Sequence, residues 1–489
     1  MKKQLMLCIL FGLFLSFKIE AQKQPNIILY IVDDMGMTDA FNSQFHTPNI
    51  ALLAKQGIKF TNAYATPVCT PTRTSIISGM NAAHHGVTNW TSPTKNDNSD
   101  ANDAQFNPSN WQMNGLSPLA YTSYPQLLKQ AGYFTIQVGK AHWGAAGTAQ
   151  ANPYNLGFMV NIAGHAAGHP QSYYGKDNYG NLLGKTSYQA VPDLEAYFGS
   201  DSFLTEALTI EALKSLDAPI KNNQPFYLNM AHYAVHTPIQ PDQRFFKKYL
   251  SEGLDTAQAK YASLVEGVDK SLGDIMQYLT EKKVANNTII IFMSDNGGLS
   301  LSPARGKIPH VQNLPLRAGK GSVYEGGIRI PMIIKWPAVS QANTVSNQYI
   351  IAEDIFPSIL AMAKLPNQTT IQQIDGKSFV PFIKQPNLLD STRFLVWHYP
   401  NKWIDQDGPG INYKSAIRKG AFKLVYDLRN GNKELYNLKN DIGEHFNIAL
   451  NYPAKIKELT QLLKKYLADN HAPMPIDKKT GLAVEMLMN

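Results

Sequence analysis

The feature that most constrains the fold is a set of four short apolar runs, each followed by polar residues that can carry out chemistry. The chain alternates such runs with helix-like segments, a pattern typical of an α/β domain with a sheet between layers of helices. Ligands of such sheets bind beyond the carboxyl ends of the strands, so we expect the four polar sets to meet in one crevice. The sets are Asp33 and Asp34 after run 26–32, Lys140 and His142 after run 134–138, His232 and His236 after run 226–230, and Asp295 and Asn296 after run 288–293.

The polar residues after the first and last runs supply only oxygen atoms as ligands. They predict a site for a hard divalent cation, with Ca²⁺ or Mg²⁺ favoured over Zn²⁺. An aspartate pair at a strand end also serves as a turn or a helix cap, so the first pair alone leaves both interpretations open. The predicted ligands are Asp33, Asp34, Asp295 and Asn296.

His232 and His236 have the i, i+4 spacing of a zinc-binding helix. They lack the glutamate that accompanies such pairs, and their segment has the pattern of a strand followed by a loop that reaches Pro238. The sequence therefore disfavours zinc here. It leaves His232 and His236 open as buried or loop histidines.

Cys69 opens the pentapeptide C-T-P-T-R, directly before a helix-like segment. It is the only cysteine beyond the predicted export signal, so it cannot form a structural disulfide within the mature chain. A helix N-terminus is a natural seat for an anion, and Arg73, four residues on, falls on the same helix face. The thiol therefore requires a chemical explanation.

Residues 1–21 have the three parts of a secretory signal: lysines at the start, an apolar run, and a small residue at Ala21. We expect a mature chain that begins near Gln22 and is periplasmic or secreted. Cys8 lies inside the apolar run, which does not support a lipid anchor. No later stretch reaches the roughly 18 apolar residues of a membrane helix, so no transmembrane anchor is expected.

The formal charge, 45 basic minus 37 acidic residues, is +8. This surplus suits an anionic substrate, although an ordinary solvated surface explains it equally well. Lysine and arginine do not form the dense run of a nucleic-acid-binding arm, so a nucleic-acid partner is not expected.

The chain divides into a large domain at residues 22–388 and a smaller one at residues 389–489. The second has a different pattern, with four short strands before a charged amphipathic helix, which predicts an antiparallel subdomain. Three long polar or glycine-rich stretches interrupt the large domain. Because loops of this length are usually functional, we interpret residues 89–115, 164–189 and 299–318 as walls of a substrate pocket.

Six sequence blocks follow one another along the mature chain: P-N-I-I-L-Y-I-V-D-D-M-G, C-T-P-T-R, G-K-A-H-W-G, H-Y-A-V-H-T-P, S-D-N-G-G and G-K-G-S-V-Y-E-G-G-I-R-I-P. These blocks and their order resemble those of the type I sulfatases. The resemblance covers nearly the whole mature chain, with one departure at Thr72, where many members have serine. It implies an alkaline-phosphatase-like α/β fold, with a large central mixed sheet flanked by helices and a small C-terminal α+β subdomain that contains an antiparallel sheet.

The same resemblance implies that a sulfatase-maturation enzyme oxidises Cys69 to Cα-formylglycine, and that this residue joins the four oxygen ligands around Ca²⁺. The change replaces a soft sulfur with oxygen, which a hard cation prefers. One hydroxyl of the hydrated aldehyde, aided by Arg73, attacks the sulfur atom of the sulfate ester. The second hydroxyl then allows the sulfate to be expelled. Serine or unmodified cysteine lacks that second hydroxyl.

The other implied roles belong to two lysines and two histidines. Lys140 and Lys320 neutralise the charge of the sulfate, and His236 protonates the departing alcohol as general acid. His142 helps to deprotonate the second hydroxyl. Lys140, His236 and Lys320 are also the implied sulfate-binding residues.

We expect the substrate to be a sulfated saccharide, with sulfated galactose or N-acetylgalactosamine at a chain end as the specific suggestion. Two alternatives stay open: a phosphomonoester or phosphonate hydrolase of the same superfamily, and a non-catalytic protein that binds sulfated glycans. Aromatic and basic residues of the long loops are candidates for contacts with the sugar, although packing explains each aromatic equally well. They are Trp90, Trp111, Tyr173, Tyr174, Trp403, His165, His169, Arg305 and His310.

Overall fold

A large mixed sheet organises the chain in the computed structural model, which describes residues 24–97, 103–182, 187–299, 313–403 and 408–487. The predicted export signal, residues 1–21, lies outside the described residues, as do Arg305 and His310. None of the helices in the described part is long and apolar enough to cross a membrane.

The strands and α-helices follow one another in alternation through the first two thirds of the chain. The strands are β1 Asn26–Val32, β2 Ile58–Tyr64, β3 Phe106–Asn107, β4 Phe134–Gly139, β5 Val160–Ile162, β6 Phe226–Ala231, β7 Thr288–Ser294, β8 Arg329–Ile330, β9 Met332–Lys335, β10 Thr344–Ile351, β11 Phe394–Tyr399, β12 Lys414–Lys419, β13 Phe422–Asp427, β14 Lys433–Asn437 and β15 Ile476–Asp477. The α-helices are α1 Pro48–Gln56, α2 Cys69–Ser78, α3 Ala82–His85, α4 Tyr124–Gln130, α5 Leu204–Lys221, α6 Gln243–Ser251, α7 Thr256–Glu281, α8 Glu325–Ile328, α9 Ile355–Met362, α10 Val380–Lys384 and α11 Pro453–Asp469.

The large sheet has nine strands within the described residues, in the order β10-β2-β9-β7-β1-β6-β4-β5, with β8 paired to β2. Its centre is parallel: β1 lies between β7 and β6, and β6 pairs with β4. Strand β9 runs antiparallel to both β7 and β2, which makes the sheet mixed. The four apolar runs of the sequence are β1, β4, β6 and β7, so their carboxyl ends lie side by side.

Both faces of the sheet are covered by helices, and β1 shows why its sequence is continuously apolar. Ile28, Tyr30 and Val32 point into a core shared with α1, α5 and α7. The alternate residues, Ile27 and Leu29 among them, point into a second core with α2, α4, α9 and α10. Because neither face of β1 meets solvent, its residues are apolar on both sides of the strand.

The smaller sheet, β11-β12-β13-β14, is antiparallel, and α11 packs on it. The four short strands followed by a helix are the pattern that the sequence predicted. A separate apolar core joins this sheet to the large sheet: Trp397 packs with Tyr64 of β2 and with Val323, close to α8. The division at residue 388 stays a prediction.

Candidate active site

The carboxyl ends of the four central strands bring the predicted site residues together. Asp33 and Asp34 follow β1, and Asp295 and Asn296 follow β7. The loops after β4 and β6 add two further pairs of residues. The charged and polar side chains are Asp33, Asp34, Arg73, Lys140, His142, Asp295, Asn296 and Lys320, all buried, with His236 partly exposed.

The carboxylates form a connected group at the centre of this site. The Asp34 amide donates to Asp295 Oδ1 at 3.2 Å, and Asn296 Nδ2 donates to Asp34 Oδ1 at 2.8 Å. Burial and the nearby Asp295 raise the pKa of Asp33 well above its usual value. Burial alone would also raise the pKa of Asp34, but Lys320 and His236 hold it below its usual value. The group therefore holds several carboxyl groups close together where solvent does not reach them.

Two oxygen atoms of this group are free to bind a cation. Asp33 Oδ1 and Asn296 Oδ1 are buried and have no hydrogen-bond partner among the described residues. Buried polar atoms are usually satisfied, so unpaired oxygens in a carboxylate cluster suit a hard cation. The donor set therefore fits Ca²⁺ or Mg²⁺.

His236 is a further potential ligand, because it offers a ligand atom within 4.8 Å of those of Asp33 and Asp34. His232 lies outside that group: its Nε2 is 2.9 Å from Ser271 Oγ, and its ring packs edge-on against Tyr30. The spacing of the two histidines therefore does not produce a shared zinc site.

Two lysines neutralise two of the carboxylates. Lys140 Nζ lies 2.6 Å from Asp33 Oδ2, and both groups are fully buried. Lys320 Nζ lies 2.7 Å from Asp34 Oδ1 and 2.9 Å from Asp34 Oδ2. Burial works against the charge on Lys320, but Asp34 more than compensates and raises its pKa above its usual value. Lys320 therefore stays positively charged and can attract an anion.

Arg73, which lies on helix α2, pairs with the third carboxylate, that of Asp295. Its Nε and Nη2 lie 2.9 Å and 2.8 Å from Asp295 Oδ2, and its Nη1 donates to the Lys140 carbonyl at 2.8 Å. Arg73 thereby links the helix that begins at Cys69 to the ends of β4 and β7. Trp143 Nε1 in turn donates to the Arg73 carbonyl at 3.1 Å.

Cys69 is the first residue of α2, and its thiol lines a cavity. Burial raises the pKa of this thiol despite the nearby Lys140 and Lys320. Thr72, three residues beyond Cys69, makes a contact through its hydroxyl. Its Oγ1 accepts from the Thr66 amide at 3.0 Å, and the hydroxyl is the only part of the side chain that this contact uses.

His142 faces the thiol with a defined nitrogen. Its Nε2 lies 2.8 Å from the Thr91 carbonyl oxygen and must donate to it, because a carbonyl only accepts. Nδ1 of the neutral ring therefore carries the lone pair, 3.4 Å from Cys69 Sγ. Burial and the nearby Lys140 lower the pKa of His142 well below its usual value, so the ring is neutral. Gly168 lies against the ring, where an added Cβ would be 2.5 Å from Cε1.

A backbone carbonyl also orients the ring of His236, although here it is Nδ1 that donates. Its Nδ1 donates to the Thr237 carbonyl at 2.9 Å, and its Nε2 lies 3.6 Å from Asp34 Oδ2. Burial and the nearby Lys320 lower its pKa well below the usual value. A bound anion next to Nε2 would oppose that shift, because an opposite charge favours the protonated ring.

The cavity above these groups has a volume of about 310 Å³. Two of the predicted loop walls contribute directly to it, residues 89–115 and 164–189, and Leu299 comes from the start of the third. Its lining comprises Asp34, Cys69, Trp90, Thr91, Pro93, His142, Gly168, His169, Gln189, His236, Thr237, Leu299, Lys320 and Trp403.

Comparison with known proteins decides the family. The sulfatase family model matches residues 25–365, and the model of the N-sulphoglucosamine sulphohydrolase C-terminal region matches residues 319–472. The chain belongs to the sulfatase family. It is therefore a sulfuric ester hydrolase, and the predicted α/β fold with its C-terminal antiparallel sheet is confirmed.

Relatives of this sulfatase include enzymes with named substrates. A sulfatase of Formosa agariphila is 30% identical, over 96% of this chain and 94% of its own. The N-acetylgalactosamine-6-O-sulfatase of Bacteroides thetaiotaomicron is 28% identical, over 90% of this chain and 93% of its own. Among solved structures, Ps i-CgsB has a TM-score of 0.74 at 27% identity, covering 92% of this chain and 94% of its own. That protein has also been crystallised with k-i-k-neocarrahexaose.

The sulfatase's loop aromatics separate into two groups. Trp90 and Trp403 line the cavity. Trp111 and Tyr173 are buried away from it, and Tyr173 OH donates to the Tyr233 carbonyl at 2.7 Å. Tyr174 OH donates to the Pro241 carbonyl at 2.9 Å. The last three aromatics therefore have packing roles.

Three further polar residues of this sulfatase site were not predicted from the sequence. Thr70 Oγ1 lies 3.3 Å from both ring nitrogens of His142 and accepts from the Thr91 amide at 3.1 Å. Thr91 and Gln189 line the cavity. Thr70 had a usable signal, since it directly follows Cys69. Threonines and glutamines in long loops carry no such signal, and the fold alone brings Thr91 and Gln189 to the site.

Proposed function

We propose that this sulfatase is exported and removes sulfate from a sulfated saccharide, using a formylglycine made from Cys69 and a bound Ca²⁺. The observation that carries the proposal is the position of Cys69. Its Sγ stands where the oxygen atoms of the hydrated aldehyde would lie, at a helix N-terminus and 3.4 Å from the Nδ1 lone pair of His142. One such hydroxyl would take up the sulfate and the other would allow its release.

We propose Asp33, Asp34, Asp295, Asn296 and the modified residue at position 69 as the ligands of the cation. Bound there, Ca²⁺ would supply positive charge for the sulfate oxygens. The two unpaired oxygens, Asp33 Oδ1 and Asn296 Oδ1, support this donor set. Mg²⁺ is the alternative cation, because it also prefers oxygen ligands.

Lys140 and Lys320 bind the sulfate group in this proposal. Both ammonium groups are buried beside carboxylates, so each can turn toward a bound anion without first leaving water. Their attraction is greatest for the charge that develops on sulfate oxygens in the transition state. Arg73 stabilises the oxygen nucleophile at position 69 and fixes helix α2 against Asp295.

His236 and His142 move the protons. His236 Nε2 faces the cavity and gives a proton to the sugar oxygen as the bond from that oxygen to sulfur breaks. Substrate sulfate beside Nε2 supports protonation of the ring before this step. His142 Nδ1 accepts the proton of the second hydroxyl at position 69, because its Nε2 proton is already held by the Thr91 carbonyl.

The substrate and location are proposed from the relatives and the N-terminus. Similarity to an N-acetylgalactosamine-6-O-sulfatase and to a structure crystallised with k-i-k-neocarrahexaose supports a sulfated galactose or N-acetylgalactosamine unit. A cavity of only about 310 Å³ supports action on a terminal residue. Residues 1–21 support export to the periplasm or beyond, and Cys69 requires a maturation enzyme as a partner.

The test is hydrolysis by protein from its native host. We expect free sulfate from a panel of sulfated galactosides and N-acetylgalactosaminides, without a change in glycan chain length. Cys69→Ser, which barely changes side-chain size, should retain the fold and lose multiple turnover. Preference for matched phosphate or phosphonate esters would contradict the proposal. So would binding without turnover by protein shown to be fully modified at residue 69.

A further inference from the structure

A buried hydrogen-bond network joins the end of β11, in the smaller sheet, to the loop that follows α3. Thr88 Oγ1 donates to Asn401 Oδ1 at 2.6 Å, and neither residue is more than 1% exposed. Buried polar groups are usually paired, and such pairs fix the backbone that carries them. The loop after α3 is therefore held by the smaller sheet. The network, which we call the Asn89 network, consists of Thr88, Asn89, Tyr399, Asn401 and Lys402.

Asn89 lies at the centre of this network and has no exposed surface. Its Oδ1 accepts from Tyr399 OH at 2.7 Å and from the Trp90 amide at 2.9 Å. Its Nδ2 donates to the Lys402 carbonyl at 3.4 Å. A carboxamide offers both an acceptor and a donor, which these contacts require. Asn89 therefore ties its own backbone and that of Trp90 to the end of β11.

Thr91, two residues beyond Asn89, is held from two directions. Its amide donates to Thr70 Oγ1 on α2 at 3.1 Å, and the Asn89 network fixes the chain just before it. These contacts set the direction of the Thr91 carbonyl, which accepts from His142 Nε2 at 2.8 Å. The Nδ1 lone pair of the same ring then lies 3.4 Å from Cys69 Sγ. The smaller sheet thus reaches position 69 through the loop and the imidazole.

The other polar neighbours of the His142 ring do not choose between its two tautomers. Thr70 Oγ1 lies 3.3 Å from both ring nitrogens, and a hydroxyl can donate or accept. A carbonyl only accepts, so the Thr91 carbonyl alone demands a proton on Nε2. If that carbonyl turned away, the ring could carry its proton on Nδ1 instead. His142 could then no longer accept a proton from position 69.

We propose that Asn89 is a positioning residue: through the Thr91 carbonyl it holds His142 in the tautomer that accepts a proton at position 69. The inference rests on the proposed function, in which this proton transfer releases the sulfate. Loss of the Asn89 network then slows the release of sulfate. The earlier step, in which the alcohol departs, is spared, because it uses His236 rather than His142.

The test is the kinetics of Asn89→Leu, which removes the acceptor and the donor with little change in side-chain size. With 4-nitrophenyl sulfate, kcat should fall at least tenfold while kcat/KM stays within threefold of the native value, because kcat/KM reports only the steps up to departure of the alcohol. Rapid mixing should show a burst of one 4-nitrophenol for each modified residue 69, followed by a slow steady rate. Equal losses in kcat and kcat/KM, or native kinetics, would overturn the proposal.

Asn81→Leu is the matched control. Asn81 is also buried, and its Nδ2 also bonds to β11, at the Val396 carbonyl 3.1 Å away, but its side chain is not part of the Asn89 network. This variant should lose stability and keep the native kcat for each modified residue 69. The same slow release of sulfate in Asn81→Leu would show that any weakened contact with β11 produces it, which would overturn the role of Asn89.

Tyr399→Phe is measured by the same criteria if Asn89→Leu does not fold, because it removes only the hydroxyl that donates to Asn89. Its control is Tyr349→Phe, which removes another buried hydroxyl, one that donates to the Arg393 carbonyl at 2.7 Å. The fall in kcat at constant kcat/KM should appear in Tyr399→Phe alone. Equal kinetics in the two variants would overturn the proposal.

Failure of the proposed function would look different, because the native enzyme would then hydrolyse neither sugar sulfates nor 4-nitrophenyl sulfate. The positioning role is then tested without turnover, by ¹⁵N NMR of protein labelled in its histidines, with His142→Gln to assign the signals. The two ring nitrogens are distinct, so the spectrum reports which one carries the proton. Native His142 should be protonated on Nε2 only, and Asn89→Leu should show both tautomers. An unchanged single tautomer in Asn89→Leu would overturn the inference.

Discussion

Lys423→Met should destabilise the protein far more than the loss of an ordinary ion pair. Lys423 lies on β13 with no exposed surface, and its Nζ is 3.0 Å from Glu325 Oε1 and 2.8 Å from Glu444 Oε1. Glu444 Oε2 also accepts from the Glu325 amide at 2.7 Å. These contacts connect the smaller sheet to α8, five residues beyond Lys320. Removal of the lysine leaves two buried carboxylates without their shared cation.

The magnitude follows from burial. Breaking a buried pair costs about 3–5 kcal/mol, against about 0–1 kcal/mol for an exposed pair. The matched control is Lys465→Met, whose partner Asp469 is 2.8 Å away with both side chains more than half exposed. Urea denaturation followed by circular dichroism measures both variants. A loss in Lys423→Met no larger than in Lys465→Met would refute the reasoning.

The pH dependence provides a second check on Lys423→Met. Burial already raises the pKa of Glu444 to about 7, although Lys423 opposes this. Without Lys423 this pKa rises further. The native protein releases this proton near pH 7, whereas the folded variant holds it to higher pH, so the stability deficit of the variant relative to the native protein grows as pH rises above about 7. Glu444→Gln in the Lys423→Met background should recover part of the loss at pH 8. No recovery would show that the unpaired charge is not its cause.

Three further predictions concern the site and a second buried carboxyl. His236→Ala should reduce kcat at least tenfold more for a sugar sulfate than for 4-nitrophenyl sulfate, because only the poor leaving group needs a proton; equal losses would remove His236 from the general-acid role. Removal of the cation with a chelator should abolish turnover and lower the Tm, and excess Ca²⁺ should restore both. A free Ca²⁺ concentration of 100 times its Kd should stabilise the folded protein by about 2.7 kcal/mol. An unchanged Tm and rate after chelation would exclude the cation. Burial raises the pKa of Glu353 to about 8, so stability should fall as pH rises from about 4.5 to 8. Glu353→Gln should therefore gain in Tm over the native protein across that range, and a constant difference would contradict the assignment.

The strands that build the site could be predicted because burial on both faces leaves a direct mark on sequence. β1 and β7 are continuous apolar runs, and the chemistry begins at the first polar residue after each. The order of these strands in the sheet could not be predicted from any sequence pattern. The order β7-β1-β6-β4 comes from strands that are distant in the chain, and the antiparallel insertion of β9 beside β7 was not predicted.

The lining of the cavity shows which features could not be predicted from the sequence. Trp90 and Trp403 line the cavity, whereas Trp111 is buried elsewhere, and all three are tryptophans in polar surroundings. Residue type did not separate them, because their roles depend on contacts across the fold. The backbone carbonyl of Gln189 accepts a hydrogen bond of 2.8 Å from the Gln171 amide, and this contact holds Gln189 at the cavity. No local pattern announces such a bond.

The central claim is that Cys69 is the precursor of the nucleophile. Peptide mass spectrometry across residues 61–80 of protein from its native host tests it most directly. The account predicts loss of the thiol and gain of an aldehyde at position 69, in a fraction that scales with the sulfatase activity of each preparation. Fully active protein in which Cys69 remains an unmodified thiol would contradict the account.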